Sequence, residues 1–218
     1  MANIIPGQVA ASPVKGSSSS STGLGTVGLA VTGGQFFNHL SSPQGDLALA
    51  NEGPSLDSCF GHSAGGGSYH YHANIACTEA GAATGANNPD SCVQIGYYSD
   101  GVPVYGLCKT TAGVAMTSCY SLNSGATTVS VNTAGGSFSG IGTTASDYSY
   151  DSVGAAGLGR NYVECQAGLS GGSCNLDEAS GAVHPTTGQY SYFMTADYPW
   201  TPIVYFGSEG KQSLCSAA

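Results

Sequence analysis

Residues 93–105 read VQIGYYSDGVPVY, and this stretch decides the fold class. Two apolar runs, Val93–Tyr98 and Val102–Tyr105, flank the pair Asp100–Gly101. An Asp-Gly pair between apolar runs is typical of a tight hairpin turn, because such turns need residues that tolerate positive φ. Pro103 withholds one backbone donor, so we expect its strand at a sheet edge or beside a bulge. The stretch therefore predicts a β-hairpin.

A second hairpin is predicted nearer the N-terminus, where Thr26–Val31 and Gln35–Phe37 flank a Gly-Gly pair. The two predicted hairpins share a glycine spacing. Each carries two glycines five residues apart: Gly28 and Gly33 in one, Gly96 and Gly101 in the other. Two alternatives explain this spacing: an internal repeat, or chance in a glycine-rich chain.

Further strands are predicted over Thr127–Val131, Gln189–Thr195 and Ile203–Phe206. No window of 11 or more residues shows the 3.6-residue period of an amphipathic helix. Hydrophobic residues make up 41% of the chain, which supplies a core in spite of the 34 glycines. We therefore predict an all-β or β-dominated fold: an antiparallel, sandwich-like domain with long Gly/Ser-rich loops and several disulfides.

The composition also limits the classes of partner that the protein can bind. Four basic residues stand against 13 acidic ones, and the formal net charge is −9. Nucleic-acid binding needs clustered Lys and Arg, so we expect no nucleic-acid partner. The sequence contains no run of 18 apolar residues, so we predict no membrane span. The low-complexity stretch Gly16–Gly23 predicts that residues 1–23 are an extended arm and linker, and that residues 24–218 form one compact unit.

Eight cysteines without C-x-x-C spacing indicate disulfides formed in an oxidising compartment, and hence an extracellular or cell-surface protein. Pairs close in sequence, Cys108–Cys119 and Cys165–Cys174, are natural candidates among 105 possible pairings. The N-terminus lacks the features of a signal peptide, so export requires a leader outside this sequence. The predicted disulfide cysteines are Cys59, Cys77, Cys92, Cys108, Cys119, Cys165, Cys174 and Cys215.

The chemistry concentrates in residues 57–72, which read DSCFGHSAGGGSYHYH. On a strand, His70 and His72 point to the same face, and the glycine turn before them can fold His62 back beside them. Three neutral imidazoles suit copper or zinc. Asp57 is predicted as a fourth ligand or as an acceptor that orients a ring nitrogen. The alternative is that these histidines only form hydrogen bonds within a tight turn.

The same stretch contains a competing motif, because residues 61–65 satisfy the G-x-S-x-G pattern of a serine hydrolase around Ser63. Asp177 and His184 follow in the order of a catalytic triad. However, the pattern requires a strand before the serine and a helix after it, and the residues after Gly65 do not favour a helix. Isolated His39 and His184 are predicted to lie on the surface or to serve packing, not to bind a metal.

Several segments resemble the YHYH-domain family. Tyr69–His72 is the motif that names it, and Ile95–Gly106 resembles its second block. The resemblance spans residues 24–207, although residues 109–175 form an insertion and residues 179–187 lack an expected cysteine. The resemblance implies an exported protein whose three histidines act as a unit, and it implies no particular reaction.

Three functions are consistent with these features. The first is an extracellular metal-binding protein, with copper favoured over zinc. The second is a self-assembling surface or filament protein, in which the N-terminal arm adds a strand to a neighbouring subunit of a homo-oligomer. The third is an extracellular enzyme, either metal-dependent or of the serine type, and the sequence favours it least.

Overall fold

The computed structural model of the chain describes residues 15–75, 88–110, 112–151 and 174–207. These residues confirm the β-dominated prediction. They contain one short helix, α1 (Ala48–Glu52), and two 3₁₀ turns, Gly53–Ser55 and Ala145–Asp147. The strands are β1 (Lys15–Ser21), β2 (Thr26–Ala30), β3 (Gln35–Phe37), β4 (Gly61–Ser63), β5 (Tyr69–Tyr71), β6 (Gln94–Tyr98), β7 (Pro103–Tyr105), β8 (Tyr120–Leu122), β9 (Thr128–Thr133), β10 (Gly136–Gly142), β11 (Tyr148–Tyr150), β12 (Gly181–Val183), β13 (Tyr190–Phe193) and β14 (Val204–Gly207).

Eight of these strands form the main sheet, in the order β12-β13-β7-β6-β2-β3-β5-β4. Neighbouring strands are antiparallel as predicted, except for the pairs β3–β5 and β7–β13, which are parallel. The other described strands form three two-stranded ribbons: β1–β14, β9–β10 and β8–β11. In the part of the chain that the structure describes, no helix is long and apolar enough to cross a membrane.

Both predicted hairpins are present, as β2–β3 and β6–β7. Of the two positions predicted for the strand of Pro103, the edge is wrong, because β7 lies between β6 and β13. The bulge is confirmed, because the register of the β6–β7 pair shifts between Gln94 and Gly96. Pro103 is tolerated there as the first residue of its strand, since pairing with β13 begins only at Val104.

The linker predicted over Gly16–Gly23 is also wrong for most of its length. Residues 15–21 form β1, which pairs with β14 of the same chain. Thr22 continues the contact, and its backbone N–H donates to the carbonyl of Ile203 at 3.0 Å. Serine has a low intrinsic strand preference, but an available partner strand overrides it.

Within the predicted insertion, strands β8–β11 pack over the segment that contains α1. The backbone N–H of Leu47 donates to the Thr143 carbonyl at 2.9 Å, and that of Ala134 donates to the Leu56 carbonyl at 3.2 Å. Between these bonds, a Cβ on Gly53 would collide with the side chain of Val131. The insertion therefore holds residues 47–56 in place against the sheet.

Two disulfides join described cysteines, Cys92–Cys108 and Cys119–Cys174. Cys59 is disulfide-bonded as well. The predicted local pairs were therefore wrong, because Cys108 and Cys174 bond to other partners. The first pairing has a simple cause: Cys92 precedes β6 and Cys108 follows β7, so the hairpin brings its two ends together. Cys77, Cys165 and Cys215 lie outside the described residues.

The strand order of the main sheet is symmetrical about its central pair, β2 and β6. On each side follow a hairpin partner (β3 or β7), a parallel strand (β5 or β13) and an antiparallel edge strand (β4 or β12). The bonds at the centre are reciprocal: Val31 N–H donates to Ile95 O at 2.8 Å, and Ser99 N–H donates to Val27 O at 2.9 Å. The sheet is therefore built from two equivalent halves. The first half consists of β2, β3, β5 and β4, and the second consists of β6, β7, β13 and β12.

The loops that lead into the two edge strands repeat this equivalence atom by atom. In the first half, Asp57 Oδ1 accepts the backbone N–H groups of Cys59 and Gly61 at 2.8 and 3.1 Å. Its Oδ2 accepts the hydroxyl of Tyr69 at 2.7 Å. Phe60, three residues after Asp57, has a positive φ of 61°.

In the second half, Asp177 Oδ1 accepts the N–H groups of Ala179 and Gly181 at 2.9 and 2.8 Å, and Oδ2 accepts the Tyr190 hydroxyl at 2.9 Å. Ser180 repeats the positive φ, at 53°. These contacts and the symmetrical strand order confirm the internal repeat, and they extend it beyond the glycine spacing from which it was inferred.

Candidate metal site

The three predicted histidines meet at one edge of the main sheet. His62 on β4 lies opposite His70 on β5, and His72 follows β5 on the same face as His70. The Nε2 atoms of His62 and His70 are 3.0 Å apart, and those of His70 and His72 are 2.9 Å apart. His70 and His72 are buried, whereas the side chain of His62 retains 12% exposure.

Glu52, at the end of α1, completes the group. Its Oε2 lies 3.3 Å from His62 Nε2 and 3.1 Å from His72 Nε2. One ligand atom from each of the four residues lies within 4.8 Å of all the others, which is the geometry of a group that could hold a metal ion. Sequence reasoning missed Glu52, because a five-residue helix has no periodicity to reveal it.

The hydrogen bonds of the other ring nitrogens fix the tautomers of two histidines. His72 Nδ1 lies 2.7 Å from the carbonyl of Asn38, and His70 Nδ1 lies 3.1 Å from the carbonyl of Ser68. A carbonyl oxygen only accepts, so both Nδ1 atoms carry the proton and donate it. In a neutral ring, Nε2 is then an unprotonated acceptor.

Ser55 fixes the third ring in the same way. Its hydroxyl donates to the carbonyl of Glu52 at 2.6 Å, so its oxygen accepts the proton of His62 Nδ1 at 2.7 Å. Ser55 thus links the backbone of one candidate ligand to the ring of another. All three histidines then direct an Nε2 lone pair into the same space.

The electrostatics of the group favour neutral imidazoles at His62 and His70. Burial, together with the neighbouring His72 and His62, lowers the pKa of His70 to about 4, against the opposing effect of its hydrogen bond to Ser68. Burial and His72 also lower the pKa of His62. The contact with His72 lowers the pKa of Glu52, which therefore stays ionised. Neutral imidazoles beside a carboxylate are the protonation states that bind metals.

Phe37 forms an apolar wall of the site. Its ring stacks on that of His70 with centroids 3.8 Å apart, and it meets His72 edge-on at 5.8 Å. Such packing fixes the ring planes, which is the role that neighbouring groups play around metal-binding histidines.

The structure does not bring Asp57 into this group. Both carboxylate oxygens are occupied by the loop contacts described above, and none of those contacts is to a histidine ring. Asp177 makes the same contacts in the half of the sheet that lacks the histidine cluster. Asp57 is therefore a loop-building residue, and Glu52 replaces it as the candidate carboxylate ligand.

This equivalence gives a first testable prediction. Asp57→Asn and Asp177→Asn each remove the charge from hydrogen bonds to backbone N–H groups, so each variant should lose about 1–3 kcal/mol of unfolding free energy. Neither should change the amount of metal bound per chain. Urea unfolding and metal titration of both variants test this, and metal loss confined to Asp57→Asn would instead make Asp57 a member of the site.

The remaining histidines serve packing, as predicted. His39 is buried and meets Tyr198 edge-on at 5.6 Å. His184 Nδ1 accepts the N–H groups of Thr186 and Thr187, and its Nε2 lies 3.4 Å from Cys92 Sγ. Burial lowers the pKa of both rings, so both are neutral at pH 7.

The serine-hydrolase alternative does not match the structure. Ser63 is the last residue of β4, and the chain after it turns back into β5 instead of entering a helix. Asp177 and His184 belong to the other half of the sheet, where Asp177 holds its own loop. The geometry that a nucleophile elbow requires is therefore missing at Ser63.

Comparison with known proteins gives one match. A family model described as YHYH protein matches residues 7–207. No curated protein and no solved structure shows significant similarity to the chain. The matched span contains all four candidate ligands.

Proposed function

The chain belongs to the YHYH protein family, and on that premise we propose that it is an exported, disulfide-stabilised protein that binds one transition-metal ion. The ligands are His62, His70, His72 and Glu52. Disulfides and family membership fit an extracellular protein. Copper is the favoured ion and zinc the next, because three neutral imidazoles suit both and copper stands higher in the general affinity order.

One observation carries this proposal, the approach of unprotonated nitrogens to one another. His70 and His72 each donate from Nδ1 to a carbonyl, yet their Nε2 atoms are only 2.9 Å apart. In neutral rings both of these nitrogens are acceptors, so two lone pairs face each other at that distance without a proton between them. A cation between them removes the conflict.

The contact lengths match the spacing of ligands around one metal ion. Ligands about 2.0–2.1 Å from a metal are about 3.3 Å apart in a tetrahedron and about 2.9 Å apart along the side of a square. The four short contacts of the group run from 2.9 to 3.3 Å. Four protein ligands also complete the coordination of a closed site, which is typical of structural rather than catalytic metals.

Metal uptake tests the proposal directly. Protein purified without metal-affinity resin, stripped with a chelator and titrated with Cu(II) or Zn(II), should bind one ion per chain. His70→Ala should weaken this uptake by about 100-fold or more, while Asp57→Asn should retain it. A stripped protein that takes up neither ion, with His70→Ala behaving identically, would refute the proposal.

The self-assembly hypothesis gains no supporting observation. Strand β1 pairs with β14 of the same chain, so an arm that reaches a neighbouring subunit now concerns only residues 1–14. Deletion of those residues, followed by size measurement, is the matching experiment.

A further inference from the structure

We infer that the metal ion takes the place of an apolar core: it holds the first half of the sheet together as packed side chains hold the second. This inference rests on the proposed metal binding and adds a role for the ion. It predicts that the metal stabilises the fold of one half specifically.

The internal repeat identifies the residues that correspond to the ligands. In the first half, His62 pairs with His70, and in the second, Ala182 pairs with Ser191. Strand β5 pairs with β3, and β13 pairs with β7, in the same parallel register. The positions of His62, His70 and His72 therefore correspond to those of Ala182, Ser191 and Phe193.

The second half fills two of these positions with packed apolar side chains, and the third with buried Ser191, whose hydroxyl donates to the Gln189 carbonyl. Phe193 is fully buried, and Ala182 is buried beside it. The ring of Tyr105 stacks on Phe193 with centroids 5.8 Å apart. Cys108, bonded to Cys92, lies in the same cluster. The full set of buried residues in this cluster is Tyr105, Cys108, Met116, Leu176, Ala182 and Phe193.

The first half places imidazoles at the same buried positions. His70 and His72 are each 2% exposed, so water has little access to their Nε2 atoms. Buried acceptors without donors are unfavourable, and the repulsion between them adds to that cost. Without a cation these positions weaken the first half, whereas the corresponding positions strengthen the second.

The ligands also come from separate segments. Glu52 lies on α1, which has only five residues and cannot be stable by itself. His62 and His70 lie on two short strands at the sheet edge. One ion bound to all of them joins α1 to the edge hairpin, so the free energy of metal binding becomes free energy of folding.

Hydrogen exchange with and without metal tests the inference on the intact chain. At a free metal concentration 100 times Kd, amides of β4, β5 and α1 should exchange about 100-fold more slowly than in stripped protein. Amides of β12 and β13, the matched elements of the second half, should exchange equally in both states. Metal that binds without slowing exchange in the first half would overturn this inference and leave the proposed function standing. A chain that binds no metal would overturn both.

A triple variant provides an independent arm. This variant replaces the three histidines by the residue types found at the corresponding positions of the second half: His62→Ala, His70→Ser and His72→Phe. The variant should bind no metal, and a chelator should not change its thermal unfolding. Its unfolding temperature should be no lower than that of stripped wild type. A folded variant that unfolds well below stripped wild type contradicts the inference. If the variant fails to fold, the exchange experiment decides.

Discussion

His72→Ala is expected to weaken metal binding by about 100-fold or more. Structural zinc sites with four ligands gain about 10–16 kcal/mol on binding. One ligand of four therefore accounts for about 3 kcal/mol, which corresponds to about 100-fold in Kd. His72 is held firmly in place, because it is buried and its Nδ1 donates to the Asn38 carbonyl at 2.7 Å.

Glu52→Gln should have a smaller effect, about 10-fold, because a partly exposed carboxylate can be replaced as a ligand by water. The Glu52 side chain is 34% exposed, against 2% for His72. His184→Gln is the matched control, since it removes a buried histidine from the other half of the sheet. Competition with a chromophoric chelator measures all three affinities. A His184→Gln variant as weak as His72→Ala would mean that the loss reflects general destabilisation and not a missing ligand.

The histidine cluster could be predicted because its signals are local. Alternation along a strand places His70 and His72 on one face, and a glycine turn brings His62 back within ten residues. Glu52 could not be found in this way, because its position depends on how the insertion packs over α1. Asp57 was the nearer carboxylate in sequence, and its true role became visible only through comparison with Asp177.

Long-range pairing explains the other errors. Serine-rich β1 has little strand preference of its own and depends on β14, which lies at the far end of the chain. Cys119 and Cys174 are 55 residues apart, and sequence proximity gives no indication of such a bond. In the sequence, the internal repeat was visible only as a glycine spacing. The edge hairpins of the two halves, β4–β5 and β12–β13, share Leu-Asp, Gly and Tyr positions, but the histidines of the first have no counterpart in the second. Signals that depend on distant partners are therefore the ones that sequence reasoning missed.

Acid should destabilise the protein through His39. This ring is 7% exposed, and its Nδ1 has no hydrogen-bond partner in the described structure. Burial, and secondarily the nearby His72, lower the pKa of His39 to about 4. The unfolded chain has the ordinary histidine pKa of about 6.5. Between these two values the unfolded state binds a proton that the folded state excludes.

The sign of the effect follows from this difference. Stability is retained above pH 6.5 and declines as the pH falls towards 4, with His39 alone contributing a loss of about 3 kcal/mol. His39→Phe keeps an aromatic ring beside Tyr198 but cannot bind a proton, so it should remove that part of the decline. Urea unfolding of stripped wild type and variant from pH 7 to pH 4 measures it. Other buried histidines titrate in both proteins, so the difference between the two curves isolates His39. Parallel curves would show that His39 binds no fewer protons in the folded state than in the unfolded one.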